Sequence, residues 1–285
     1  MSTEITKAFV NQFKEGITLN LQQRGSVLRP AVLVETVVGK HAFFDQIGPV
    51  EATKVTTRHD DSPLNSTPHD RRRVTMSDYD WGDLIDEFDR VKMLADPSSA
   101  YAENAGMALG RAIDREIIEA LGGTAYTGED GSTSVVLPAA QQIAEGGSGL
   151  TLDKLRLARR KLLQANTPAN EEMVVALSAA QLDDLLSDTQ VTSADYNSVK
   201  ALVDGQLDSF MGFRFIHTEL LPLDTNTRSV YAWARSGVKL GIGKEIAIEI
   251  ERRADKRYAT YVYASVSCGA TRLEESKVVQ IACAE

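Results

Sequence analysis

No apolar run in the 285-residue chain approaches the roughly 20 residues that a membrane-crossing helix needs. The opening residues, MSTEITKAFVNQFKEG, also lack the apolar core of a secretory leader, so the chain reads as one made in the cytoplasm with no membrane role. Cysteine is scarce: Cys268 and Cys283 lie in strand-like segments, without companion ligands at metal spacing, and are expected to be reduced and packed. Basic charge is in deficit, with 31 Lys and Arg against 40 Asp and Glu and a net charge of -9. That balance excludes strong sequence-independent adhesion to nucleic acid, which depends on neutralising phosphates.

Catalytic motifs are missing as well. GVKLGIGKE ends in Gly-Lys but lacks the glycine spacing and the hydroxyl residue of a phosphate-cradling loop, and reads as a turn between strands. No Gly-x-Ser-x-Gly elbow occurs, and His217, alone beside Phe215 and Ile216, is expected to be packed. There is no repeat, no long heptad run and no succession of strand-helix-strand units, which disfavours a doubly wound nucleotide-binding fold.

What is present is ordinary globular material, 43% hydrophobic and 25% charged. VNQFKEGITLNLQQ suits a short helix, and AVLVETVVG after Pro30 a strand. Residues 39–76 read as strand, wide turn, strand, with VEATKVTTR before the turn and RRRVTM after it. Trp81, Leu84, Ile85 and Phe88 fall at helical spacing opposite Asp80, Asp83 and Glu87, which predicts a short helix with an acidic face. From Asp96-Pro97 onward a continuous apolar stripe from Tyr101 to Leu121 predicts the longest helix, stopped by Gly122-Gly123. TGEDGS and EGGSG read as turns, a helix starts at Thr151 with Leu152, Leu155, Ala158 and Leu162 inward, and EEMVVALS reads as a buried strand. Ser178 and Gln181 have capping-box spacing before another helix. FMGFRFIHTELLP, SVYAWAR, KEIAIEIERR, YATYVYASVSCG and KVVQIACA then alternate like strands.

The densest chemistry is RHDDSPLNSTPHDRRR at 58–73, and two readings compete for it. In one, His59, Asp60, His69 and Asp70 belong to a metal-dependent hydrolase, but no long helix supplies a third ligand. In the other, Arg58, His59, Asp60, Asp61, His69, Asp70 and the triplet Arg71, Arg72 and Arg73 form a subunit interface with Asp80, Asp83, Asp86 and Glu87, acidic and basic stretches meeting on neighbouring copies. No catalytic, cofactor or metal residue is assigned.

Four stretches, taken in order, carry a resemblance: FDQIG at 44–48, TRHDDSPLNSTPHDRRRV at 57–74, YDWGDLIDEFDRVKMLADPSSAYAENAGMALGRAIDREIIEALGGTAYTGEDG at 79–131, and GATRLEESKVVQI at 269–281. With these the chain resembles the major capsid proteins of tailed bacteriophages, in particular a podovirus-like subfamily. The resemblance implies an α+β fold, the shell fold shared with herpesvirus capsids and encapsulins. On that layout residues 1–38 are an N-terminal arm, 39–78 an extended β-hairpin loop, 79–149 and 229–285 a peripheral domain with its spine helix at about 98–121, and 150–228 an axial domain. It implies a non-enzymatic subunit without cofactors, which forms pentamers and hexamers of an icosahedral head around double-stranded DNA. The implied partners are other copies, a separate scaffolding protein, a portal protein and in some relatives a decoration protein; the implied location is the virion, assembled in the host cytoplasm. An encapsulin-like cellular shell is the near alternative.

Overall fold

The structure, a computed structural model, describes residues 22–86 apart from 57, 59–61 and 63, residues 98–187 apart from 169, and residues 209–285. The first elements are β1 (Leu33–Thr36), β2 (His41–Ile47), β3 (His69–Thr75), β4 (Ser77–Ile85) and the long helix α1 (Ser98–Gly122). Then come β5 (Ala125–Thr127), β6 (Thr133–Val135), β7 (Gln142–Ile143), α2 (Leu152–Gln164), β8 (Met173–Leu177) and α3 (Ala179–Ser187). Strands close the chain: β9 (Ser209–Phe210), β10 (Phe213–His217), β11 (Leu223–Asp224), β12 (Thr227–Ala234), β13 (Val238–Arg253), β14 (Ala259–Arg272) and β15 (Val278–Ala284). Helices and sheets segregate as an α+β arrangement. The described residues fall into two compact units, and α1, β13 and β14 contribute residues to both.

The larger unit, residues 27–77, 113–243 and 268–285, is built around a sheet in the order β7-β15-β12-β8-β10-β9, with β11 on β12. Its centre is β8, whose unbroken MVVAL is buried at all five positions, as suits a strand covered on both faces. β10 runs parallel to β8 and β12 antiparallel to it. Leu155, Ala158 and Leu162 of α2 are fully buried, and Thr151 caps this helix by accepting from Lys154 N at 3.4 Å. One half of the capping box forms: Gln181 Oε1 accepts from Ser178 N at 3.2 Å, and the Ser178 hydroxyl donates to the same oxygen at 2.5 Å. Trp233, fully buried, donates to Ala31 O at 3.0 Å. Ile113, Ile117, Ile118 and Leu121 bury the second part of α1, where the carboxylate of Asp114 accepts from Val27 N at 3.0 Å and Leu28 N at 3.1 Å.

In the smaller unit, residues 22–26, 78–86, 98–112 and 244–267, the first part of α1 meets the chain near its start. A Cβ at Gly110 would strike the backbone of Gly25 and Ser26, so only glycine permits this approach. Arg111 donates to Gln22 Oε1 at 2.7 Å. β4 is hydrogen-bonded to β14, and its Gly82 lies under the Tyr261 hydroxyl.

Four expectations are corrected. The segment from Ser77 to Ile85 is a strand, with Tyr79 and Trp81 half-buried between exposed Asp78, Asp80 and Gly82; period two prevails because β14 offers a hydrogen-bonding edge. VEATKVTTR forms no strand among its described residues; HAFFDQI, which brings Phe44 into a core, pairs instead. All of GVKLGIGKE after Gly237 lies inside β13, where Gly241 leaves room for Val37. His217 is exposed and meets Glu219 Oε1 at 3.0 Å. The helix read over VNQFKEGITLNLQQ lies almost wholly outside the described residues.

Candidate functional site

β2 and β3 form an antiparallel hairpin in register from His41↔Thr75 to Ile47↔His69. At its root Val37, Phe44 and Val74 make a small core with Ala42, Met76 and Leu273, and β3 continues into a sheet with β5 and β6. Beyond the root the character changes. Every described residue from Gly48 to Asp70 is exposed except Ile47's neighbour Gly48, which is half-buried, and Val55 is 80% and Leu64 100% accessible. Among the described residues, none covers these apolar side chains.

The arginine triplet is engaged within the chain, each member differently. Arg71 pairs with Asp45 at 3.3 Å and lies 5.6 Å from the Phe43 ring. Arg72 is buried; it donates to Leu273 O at 3.0 Å and Glu275 Oε2 at 2.8 Å, while its Nη1 is a buried donor without a partner. Arg73 stacks 4.7 Å from the centre of the Tyr126 ring. Asp70 accepts from the Thr127 hydroxyl at 2.6 Å and from Arg71 N at 2.8 Å, and the Thr127 bond leads in holding its carboxyl below the usual value. An open groove of about 590 Å³ runs along this side, lined by Asp45, Ile47, His69, Asp70, Arg71, Gly128 and Glu129.

Arg58 is exposed on the span between the strands, and Asp80, Asp83 and Asp86 are exposed on and just after β4. His59, Asp60, Asp61 and Glu87 lie outside the described residues. His41 meets the Thr75 hydroxyl at 3.2 Å, and among the described residues no three His, Cys, Asp or Glu side chains converge as a metal would require. The geometry offers charge, exposed apolar groups and backbone, which is the material of a contact surface.

Sequence reasoning passed over two buried cations that hold the larger unit together. Arg272, fully buried, donates through Nη1 to Ala120 O, Leu121 O and Gly123 O at 3.0, 3.0 and 2.6 Å, and through Nη2 to Val135 O at 3.1 Å. It thereby caps the C-terminal end of α1, the end that favours positive charge; burial pushes the guanidinium below its usual pKa, though an arginine stays charged. Lys154 Nζ lies within 2.7 Å of Glu145 O and Ser148 O, 2.9 Å of Gly149 O and 3.0 Å of Ala282 O, fixing the glycine-rich turn to β15. The signal for Arg272 was a lone arginine closing the apolar run of β14. For Lys154 there was none, because a lysine on an amphipathic helix reads as surface.

A family model described as phage capsid protein matches residues 5–285. No curated protein matches the chain. Among solved structures, the chain is similar to the capsid of cyanophage P-SCSP1u, with a TM-score of 0.75, 17% identity, and 100% of this chain and 96% of that one covered. A structure from Mycobacterium phage Che8 gives a TM-score of 0.72 and 19% identity over 96% and 97% of the two chains. The capsid of cyanophage Pam1 gives 0.71 and 15% over 98% and 97%.

Proposed function

Since this chain belongs to the phage capsid protein family and is a major capsid protein of the virion shell, we propose that it assembles with itself into pentamers and hexamers of a closed icosahedral head around double-stranded DNA. The observation that carries this reading is the outer part of the hairpin, which beyond the pairing of β3 with β5 is two-stranded and exposed, an arrangement that water alone leaves marginal. Its exposed Val50, Val55 and Leu64 need a surface, and a neighbouring copy supplies one. Residues 1–38 act as the arm, 39–78 as the extended loop, α1 as the spine of the peripheral domain formed by 79–149 and 229–285, and 150–228 as the axial domain.

Of the charged hairpin groups, Arg58, His59, Asp60, Asp61, His69, Asp70 and Arg71 are the ones we assign to the intersubunit contact, with Asp80, Asp83, Asp86 and Glu87 as acidic counterparts. Arg72 and Arg73 have a second duty, because their partners Glu275 and Tyr126 fix the root of the arm from within. A separate scaffolding protein directs curvature, a portal protein occupies one vertex, and assembly proceeds in the host cytoplasm. A decoration protein is a further candidate partner.

Sedimentation of the chain co-expressed with its scaffold tests the proposal. Fast-sedimenting particles are expected; a chain that stays monomeric at every concentration and scaffold ratio contradicts it.

A further inference from the structure

On a chain of net charge -9, α2 carries one local surplus of basic groups, three arginines beside the single acidic neighbour Asp153. Arg156, Arg159 and Arg160 sit at helical neighbour spacing on the outer side of α2, and with Leu163, Gln164 and Met211 they line an open groove of about 420 Å³. The groove is built. Met211 and Gly212 both have positive φ, 52° and 77°, in the turn between β9 and β10, and this turn presents the Met211 carbonyl to the Arg159 guanidinium. A Cβ on residue 212 would sit 3.2 Å from Arg159 Nη2, so glycine lets the guanidinium lie against the backbone. Arg156 is tethered by Asp153 at 2.9 Å, and Arg160 has no ion-pair partner among the described residues. Leu163, 42% accessible, places an apolar surface beside the three charges.

We propose that this groove receives an acidic segment of a second copy of the chain, making α2 a contact between neighbouring subunits. The inference rests on the shell reading given above. Charge complementarity supports it: the chain carries nine more carboxylates than basic groups, so a second copy brings acidic segments wherever it docks. β13 shows the required chemistry, exposing Glu249 and Glu251 beside Ile248 and Ile250, which are 41% and 48% accessible. The apolar component argues for protein over nucleic acid. A phosphate backbone would satisfy the guanidinium groups and leave Leu163 and Met211 uncovered, whereas arginine and methionine around an apolar centre are typical of protein interfaces.

The test compares the wild-type chain with Arg156→Glu/Arg160→Glu and Arg156→Gln/Arg160→Gln, each co-expressed with scaffold. Both residues are exposed, so melting temperatures should match the wild type. Closed shells are expected to be lost in the reversal and reduced in the neutral pair, and a shell map of the wild type should place a neighbouring carboxylate against these guanidinium groups. Normal shell yield from the reversal overturns the proposal. So does a reversal that builds normal shells and holds less DNA, since the occupant would then be phosphate. A wild type that builds no shells overturns the capsid reading itself, which separates the two failures.

Discussion

Lys154 and Arg272 are cations without a carboxylate in hydrogen-bond contact, each ringed by four main-chain carbonyls. Replacing either by methionine keeps much of the volume but takes a donor from four carbonyls, of which Glu145 O and Ser148 O keep another, and each acceptor left unpaired costs about 1–3 kcal/mol. Lys154→Met and Arg272→Met should therefore each lower unfolding free energy by about 3 kcal/mol or more in denaturant titrations; a loss below about 0.5 kcal/mol, typical of surface sites, would contradict the roles given them. Cys283 is buried, and burial pushes its thiol up to about 12, so it should resist alkylation at neutral pH until the chain unfolds. Glu285 makes a two-point pair with Arg228, at 2.5 and 2.7 Å, and that pairing leads in lowering its carboxyl from an ordinary 4.5. A depressed carboxyl stabilises the fold above its unfolded value and ceases to do so as pH falls through the folded one. Melting temperature should thus hold steady above about pH 5 and drop below pH 4.5, and Glu285→Gln should remove part of that drop while lowering the plateau. These residues were the least legible in the sequence, since a buried cation and a surface one have the same letter and differ only in what folds around them.

Elements were more legible than residues where their apolar pattern was long. The stripe of α1, the all-apolar β8 and the alternating strands of the C-terminal half fall where periodicity puts them, because burial over many turns or pleats leaves one solution. β4 failed that reasoning: Trp81, Leu84 and Ile85 satisfy helical spacing, yet β14 captures the segment as a strand, a long-range pairing that a short window does not contain. The hairpin was legible as strand, turn, strand, but its first strand lies earlier than VEATKVTTR. Charge pattern showed the arginine triplet and not its in-chain partners. Because the described residues of the span beyond the root are exposed, deleting residues 57–68 with a short Gly-Ser bridge should leave thermal unfolding nearly unchanged and abolish shell closure. Loss of folding in that variant would place the span in the core. Arg72→Glu should behave differently from Arg71→Glu: the first breaks a buried pair with Glu275 and lowers subunit stability, the second removes an exposed pair worth about 0–1 kcal/mol and acts only on assembly.

For the whole molecule, composition excluded functions more effectively than it named one, and the family resemblance along the chain supplied what periodicity could not. A net charge of -9 predicts that the subunit has little general affinity for DNA. Free subunits should show no nanomolar, salt-sensitive binding to duplex DNA in a filter or anisotropy assay, even with the arginines of α2 available. The central claim is closed self-assembly, and electron microscopy of particles from cells expressing the chain, alone and with a candidate scaffolding protein, measures it directly. Isometric shells whose reconstruction shows fivefold and sixfold clusters of this subunit, with each hairpin lying on a neighbouring copy, are the predicted result. Shells in which the hairpin folds back on its own subunit, or no shells at all, would contradict the account.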